Sequence, residues 1–411
     1  LFHDTPLLIV EDDRTLREVA VRLGRSSVIA VDTESDSMYH YQEKVCLLQF
    51  TDAHGDIIVD PLAVSDLSPL VPLFEDPRIV KVFHGADYDI VCLRRDFGMK
   101  TRNLFDTLIA GQFLGYEKLG YADLVRNWFG QELDKQYQRH DWSRRPLGAE
   151  HLDYARGDTH WLPALREIML RQLRAAGRVA HHVEECKLLE AREWQRRPFD
   201  ESGWARIKGA TSLDDDGKRV LRRLYLYRDD AARQSDRPPY KTISDHLLLD
   251  IARARPRSAR ALADLLPSMH GLRRRHEHGL IDCVLDGLED PLPSASEPEP
   301  VERVRGPRAR LNGRAADRTF EALKAWRNQI GQDAGQSSAV SIASNNTLRN
   351  IAKARPFDLD ELRAVPEVRA WQVRDYGARL LAVLDEIAPA DELDTQAADE
   401  SPAKSGRRRR R

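Results

Sequence analysis

Val28-Ile29-Ala30-Val31-Asp32-Thr33-Glu34 begins with four apolar residues and ends in two acids spaced i and i+2. The apolar run reads as a buried strand. Strand alternation puts both carboxylates on one face and Thr33 on the other. Two acids side by side at the end of a strand repel unless a cation lies between them. Oxygen ligands of this kind suit Mg²⁺ or Mn²⁺. A lone Asp-x-Glu is common surface decoration, so the triplet gains meaning only from what surrounds it.

On the N-terminal side, Leu7-Leu8-Ile9-Val10 is a short apolar run. Asp13 to Leu23 has helical spacing (Leu16, Val19, Ala20, Leu23) after an Asp-rich start suited to an N-cap. On the C-terminal side, Val45 to Phe50 and Ile57-Ile58-Val59 read as strands with a turn at His54-Gly55. Ile79 to Phe83 makes a fifth strand, and the chain from there to about residue 195 reads as helical. Strands first and helices afterwards predict a layered α/β domain.

Two further acidic elements follow in order. After the fifth strand, His84-Gly85-Ala86-Asp87-Tyr88-Asp89 leads into a helix bearing Ile90, Leu93 and Phe97. Asp87 is expected to cap that helix, and Asp89 falls in its first turn, where the helix dipole favours a carboxylate. In Leu152-Asp153-Tyr154-Ala155-Arg156-Gly157-Asp158, Tyr154 and Asp158 are four apart and share one helix face.

The 411 residues carry 64 Lys plus Arg against 66 Asp plus Glu, a formal net charge of −2. Attraction for a polyanion must therefore come from local patches rather than from overall charge. The length predicts two to four domains. Cys46, Cys92, Cys186 and Cys283 form no CxxC pair and read as free thiols of a reducing cytoplasm. No apolar run is long enough to span a membrane. Leu1-Phe2-His3-Asp4 lacks the basic and apolar regions of a signal peptide, and its missing Met is read as trimming.

The C-terminal half contains a repeat. Asp250-Ile251-Ala252-Arg253-Ala254-Arg255-Pro256 matches Asn350-Ile351-Ala352-Lys353-Ala354-Arg355-Pro356. Upstream, Leu224-Tyr225-Leu226-Tyr227-Arg228 resembles Leu323-Lys324-Ala325-Trp326-Arg327. Downstream, Val284-Leu285-Asp286 pairs with Val383-Leu384-Asp385. Preserved order predicts two copies of one helical module, at 211–290 and 314–388, behind a first domain at 1–200. The Pro/Glu-rich stretch 291–313 reads as a linker. Residues 389–411, ending in Arg407 to Arg411, read as a disordered tail with salt-sensitive attraction for nucleic acid.

The ordered acids resemble the DEDD exonuclease superfamily, whose three motifs supply Asp and Glu, then Asp, then Tyr or His with Asp. The surrounding words resemble ribonuclease D: Phe83-His84-Gly85-Ala86, Asn103-Leu104-Phe105-Asp106-Thr107, and Gln138-Arg139-His140-Asp141-Trp142-Ser143-Arg144-Arg145-Pro146-Leu147. The match spans roughly residues 7 to 195. The two helical modules resemble HRDC domains. This resemblance implies a ribonuclease H-like mixed sheet flanked by helices, followed by two all-α modules. It also implies a 3′→5′ exoribonuclease that releases nucleoside 5′-monophosphates and trims tRNA precursors and other small structured RNAs. By the resemblance, Asp32, Glu34, Asp89 and Asp158 hold two divalent ions, Mg²⁺ or Mn²⁺, and Tyr154 orients the attacking water. The histidine subclass has His five residues before the last acid; position 153 is Asp, so the tyrosine subclass fits.

Gln49 and His84 match family positions near the site, where the resemblance implies that they help hold the substrate or the scaffold. Asp106 is read as a helix cap or a support for the site, and His151 and His160 as packing or surface residues. In the first helical module Arg228, Arg273, Arg274 and Arg275 lie near Tyr225, Tyr227 and Tyr240, a pattern suited to RNA phosphates and bases. Asp214, Asp215, Asp216, Asp229 and Asp230 offer the other reading, a solvated face of ordinary ion pairs. A monomer in the cytoplasm with an RNA partner and no membrane is expected. A DNA 3′→5′ exonuclease and a catalytically inactive RNA-binding adaptor remain the alternatives.

Overall fold

A computed structural model describes residues 5–195, 198–291, 313–333 and 342–396. The linker expected at 291–313 lies almost wholly outside the described residues, and Arg407 to Arg411 lie wholly outside them.

Among the described residues six strands form one mixed sheet: β1 (Leu7–Val10), β2 (Val28–Ser35), β3 (Val45–Asp52), β4 (Gly55–Val59), β5 (Val80–Phe83) and β6 (Leu104–Asp106), in the order β1-β4-β3-β2-β5-β6. β2 and β4 run antiparallel to β3, whereas β1–β4, β2–β5 and β5–β6 are parallel. The five expected strands are present. β6 is an addition, because three residues are too few to show alternation in the sequence.

Among the described residues eight α-helices accompany the sheet: α1 (Asp13–Leu23), α2 (Val71–Glu75), α3 (Asp89–Phe97), α4 (Thr107–Leu114), α5 (Tyr121–Phe129), α6 (Ala149–His160), α7 (Leu162–Ala175) and α8 (Val179–Glu190). Asp12 caps α1 by accepting from Thr15 N at 2.9 Å. On one face Val31, Leu48, Phe50 and Val59 pack against Leu16 and Leu23 of α1, Phe74 of α2, and Ile90 and Leu93 of α3. On the other face Ala30 and Val82 meet Ala110 of α4 and Leu162, Leu165 and Met169 of α7. Leu47 and Ile58 meet Ala155 of α6 on that same side. Continuous apolar strands with both faces covered are what a helix–sheet–helix sandwich requires.

The first C-terminal module comprises α9 (Asp215–Gln234), α10 (Pro239–Thr242), α11 (Asp245–Ala254), α12 (Ala259–Leu265) and α13 (His270–Glu289). The second comprises α14 (Gly313–Asp333), α15 (Asn345–Ala354), α16 (Leu359–Ala364) and α17 (Ala370–Gln396). α17 runs past the expected end at 388. The sequence repeat is a structural one. Arg228 Nη1 donates to Ile243 O at 3.2 Å, and Arg327 Nη1 donates to Ala343 O at 2.9 Å. Ser244 and Ser344 cap the next helix in each copy, and Arg255 and Arg355 end it in the left-handed conformation. Each module buries its own apolar core.

Both modules touch the first domain. After β2, Tyr41 donates its hydroxyl to Asp229 at 2.8 Å, and His40 Nδ1 lies 2.7 Å from Asp236. In the second module Trp371 packs on Phe113 and His181, while Arg369 Nε reaches Glu185 at 3.1 Å. Among the described residues no helix is long and apolar enough to cross a membrane.

Candidate active site

β2 carries Asp32 opposite Gln49 and Glu34 opposite Leu47 in the β2–β3 register. α6 packs across β2, β3 and β4 and brings Asp158 over the same face. One ligand atom each from Asp32, Glu34 and Asp158 lies within 4.8 Å of the others. Asp89, in the first turn of α3, approaches from the other side of the strand, where Thr33 donates its hydroxyl to the Asp89 carboxylate. Thr33 does face away from the two acids, as alternation predicts, and its partner is the fourth acid.

Burial, followed by repulsion from Asp89, Asp158 and Glu34, pushes the Asp32 carboxyl well above its ordinary range. Burial and then Asp158 and Asp89 do the same to Glu34. Asp89 is pushed up to about 6 chiefly by burial, against the lowering effect of Thr33. Asp158 is pushed up to about 8 by burial and by Asp89. Acids that raise one another in this way form a site with surplus negative charge, and a hard divalent cation fits such a donor set.

Tyr154 lies one helical turn before Asp158, with its ring 6.1 Å from Tyr137 and 5.8 Å from Trp142. Burial and the nearby acids raise its phenol, so it remains a neutral donor. A cavity of about 630 Å³ opens here, lined in part by Leu133, Tyr137, Asp153, Tyr154 and Asp158.

Asp106 combines the two supporting roles expected of it. Its carboxylate caps α4 at Leu108 N (2.8 Å) and also accepts from Gly85 N (3.1 Å) and Ala86 N (2.8 Å), fixing the turn that leads to Asp89. Asp87 does not cap α3. Tyr88 holds the N-cap position, and Asp87 is exposed, facing Arg192 at 3.4 Å. His151 Nδ1 accepts from Gly148 N at the start of α6, and His160 packs against Asp56 at 2.9 Å, so both are packing residues.

Several substrate candidates are placed elsewhere than expected. Gln49 is 0% exposed, beneath the sheet surface beside Asp32, and cannot meet substrate directly. Arg228 is 7% exposed and committed to Ile243 O and Asp245, so it is an internal brace rather than a phosphate contact. His84 Nδ1 pairs with Thr107 Oγ1 at 2.9 Å, and burial pushes its pKa down to about 4, leaving a neutral ring against Tyr121. Arg273 contacts His270 at 2.7 Å, whereas Arg274 and Arg275 are exposed on α13.

One contributor was missed. Tyr121 of α5 donates its hydroxyl to Gly157 O at 3.1 Å and accepts from Trp161 N at 3.3 Å. In an unbroken helix Trp161 N would bond Gly157 O itself. The inserted phenol marks the break between α6 and α7 and grips the backbone on either side of Asp158. A lone Tyr before an amphipathic helix gives no sequence signal for this.

The sequence profile described as "3'-5' exonuclease" matches residues 7–174, and that described as "HRDC domain" matches 217–284 and 316–384. The chain thus carries a 3′-5′ exonuclease domain on a DEDD-type fold, which implies divalent metal ions, followed by HRDC domains. It is 31% identical to a ribonuclease D of Gluconacetobacter diazotrophicus over 313 residues, covering 75% of this chain and 77% of the relative. The chain belongs to the ribonuclease D family. It is also 35% identical over 260 residues to a Caenorhabditis elegans exosome complex component 10 homolog, spanning 62% of this chain but only 30% of that longer relative. Among solved structures it is similar to the catalytic core of RRP6 from Trypanosoma brucei, at 31% identity and a TM-score of 0.65, covering 70% of this chain and 81% of that one.

Proposed function

We propose that this chain is a metal-dependent 3′→5′ exoribonuclease that releases nucleoside 5′-monophosphates and trims the 3′ ends of tRNA precursors and other small structured RNAs. The observation that carries the reading is the convergence of Asp32, Glu34 and Asp158 within 4.8 Å, with Asp89 alongside. In this reading the four acids hold two divalent ions, Mg²⁺ or Mn²⁺. Such ions supply Lewis acidity for the phosphoryl oxygens and lower the pKa of an attacking water. Tyr154, neutral and facing the same cavity, donates a hydrogen bond that sets the direction of attack. Thr33, Asp106 and Tyr121 hold Asp89 and Asp158 in place, so little rearrangement accompanies reaction.

RNA as substrate is supported by the ribonuclease D relatives. One chain supplies every group of the site, which supports action as a monomer. Four buried free thiols support a reducing, cytoplasmic setting. The domain limits put forward are 1–200, 211–290 and 314–396, the last extended from 388 to the end of α17, with a linker at 291–313 and a tail beyond.

The test is a gel of purified protein on a 3′-extended tRNA with Mg²⁺, Mn²⁺ or EDTA, beside Asp32→Ala. Stepwise 3′ shortening that needs metal and is abolished in the variant is expected. Equal turnover by variant and wild type would refute the reading. Faster cleavage of a matched DNA strand would move it to a DNA exonuclease.

A further inference from the structure

The cavity above the acids continues into a second one of about 330 Å³, lined in part by Tyr39, Gln136, Tyr137, Arg139, His140 and Arg144. Gln136 and Tyr137 belong to both walls, so the two make one groove. Their charges differ in sign. The first cavity presents Glu132, Asp134, Glu150 and Asp153 besides Asp158. Among the described residues its one basic lining residue, Arg156, is bound to Asp56 at 2.7 Å. The second presents Arg139 and Arg144, both exposed. Arg144 meets Asp141 at 3.1 Å with its side chain 75% exposed, an ion pair weak enough to exchange for a phosphate.

An aromatic series links the two cavities. Tyr154 to Tyr137 is 6.1 Å and Tyr137 to His140 is 6.0 Å between ring centroids. Tyr39 closes the far end, with Lys241 of the first HRDC domain 4.0 Å from its ring. The loop forming the wall is anchored, because Arg145 binds Asp60 at 2.7 Å and Cys46 O at 2.8 Å. Basic side chains alternating with ring faces along a groove is the arrangement that holds a single strand without reading its sequence.

We propose that this groove binds the single-stranded 3′ segment of the RNA upstream of the scissile phosphate. Its phosphates lie on Arg139, Arg144 and Lys241, and its bases on Tyr137 and Tyr39. The proposal rests on the exonuclease reading above. The acidic first cavity repels a polyanion except where cations sit, so the 3′-terminal nucleotide alone gains little hold. Affinity must come from the nucleotides that precede it. In this proposal a dinucleotide engages the acids without Arg139 and Arg144, whereas an octanucleotide engages both.

The experiment uses the full chain with Mn²⁺ and compares unpaired 5′-labelled di- and octaribonucleotides. The test variant carries Arg139→Ala and Arg144→Ala. A control, Arg171→Ala with Arg174→Ala, removes the same charge from exposed positions of α7. The test variant should raise KM for the octanucleotide about tenfold with kcat within about twofold. It should leave kcat/KM for the dinucleotide unchanged and lower the salt-dependence slope of binding by about 1.4. The control should match wild type. Unchanged KM on the octanucleotide, an equal loss in the control, or an equal loss on the dinucleotide each overturns the groove. Anisotropy of the labelled octanucleotide in EDTA separates the two readings. A wild type that degrades nothing defeats the exonuclease reading, while about tenfold weaker binding by the test variant still supports the groove and equal binding overturns it.

Discussion

Replacing Asp158 by Asn should make the metal-free protein more stable while abolishing its activity. A carboxyl with its pKa pushed from 3.8 to about 8 keeps its proton in the folded chain over a range where the unfolded chain has lost it. The folded state then binds more protons, so stability is constant below about pH 4, falls as pH rises from there to about 8, and levels off above. Taken alone, this amounts to about 4 kcal/mol at pH 7. Solvent reaches the half-buried carboxylate and the cluster shares its protons, which reduces the figure to about 1–2 kcal/mol. For a domain of this size that is about 3–6 °C in Tm. Calorimetry in EDTA at pH 5 and pH 8 should show wild type losing stability between the two while Asp158→Asn loses less. Adding Mn²⁺ should reverse the order, since only wild type gains from the ions. A variant no more stable than wild type in EDTA at pH 8 would show that the acids do not strain one another.

Tyr154→Phe should lower kcat about 10- to 100-fold while retaining the rise in Tm on adding Mn²⁺, read by single-turnover kinetics beside calorimetry. Tyr121→Phe leaves Gly157 O and Trp161 N without their bridge, costing about 1–3 kcal/mol. Because it acts through Asp158, its Mn²⁺ titration should shift to higher concentration, which a purely structural loss would not produce. Arg228→Ala should destabilise the first HRDC domain by about 1–3 kcal/mol in urea unfolding and leave RNA affinity at native conditions within about twofold. A large affinity loss with unchanged stability would restore Arg228 as a phosphate contact.

The sheet was legible because Ile29 to Val31 and Val45 to Leu48 are buried and continuously apolar. Strand period 2 put Asp32 and Glu34 on one face and helix period 3.6 put Tyr154 with Asp158, but their joint role, and that of Asp89, came from the resemblance carried by three motifs in order. What the sequence hid depends on contacts across long separations. β6 is three residues ending in an acid that caps the next helix, so it offers no alternation. Asp87 looks like a cap, yet the Ile90 N–H it would accept from is taken by Ala86 O at 3.0 Å, and Tyr88 holds the N-cap position. Arg228 sits among arginines and tyrosines that suggest RNA, but the repeat held the contrary signal. Arg327 occupies the matching place and makes the matching bond to Ala343 O, so the position serves the fold of both modules.

The groups that hold the acids in place explain why the site needs an imported charge. The charges raising Asp32, Glu34 and Asp158 are those of one another and of Asp89. The basic side chains nearest in sequence to Asp158 are committed elsewhere: Arg156 and His160 bind Asp56. Two of the supports are neutral, the Thr33 hydroxyl on Asp89 and the Tyr121 hydroxyl at Gly157 O, and the third, Asp106, adds negative charge near Asp89 rather than cancelling it. A lysine or arginine in their place would satisfy the carboxylates and compete with a divalent ion for them. Such supports fix geometry without cancelling charge, so the repulsion is relieved only when a cation enters. At a concentration 100 times its Kd, a ligand bound only to the folded state contributes about 2.7 kcal/mol. That exceeds the strain of about 1–2 kcal/mol reached above, so the same crowding that weakens the empty site gives it preference for a small, doubly charged ion.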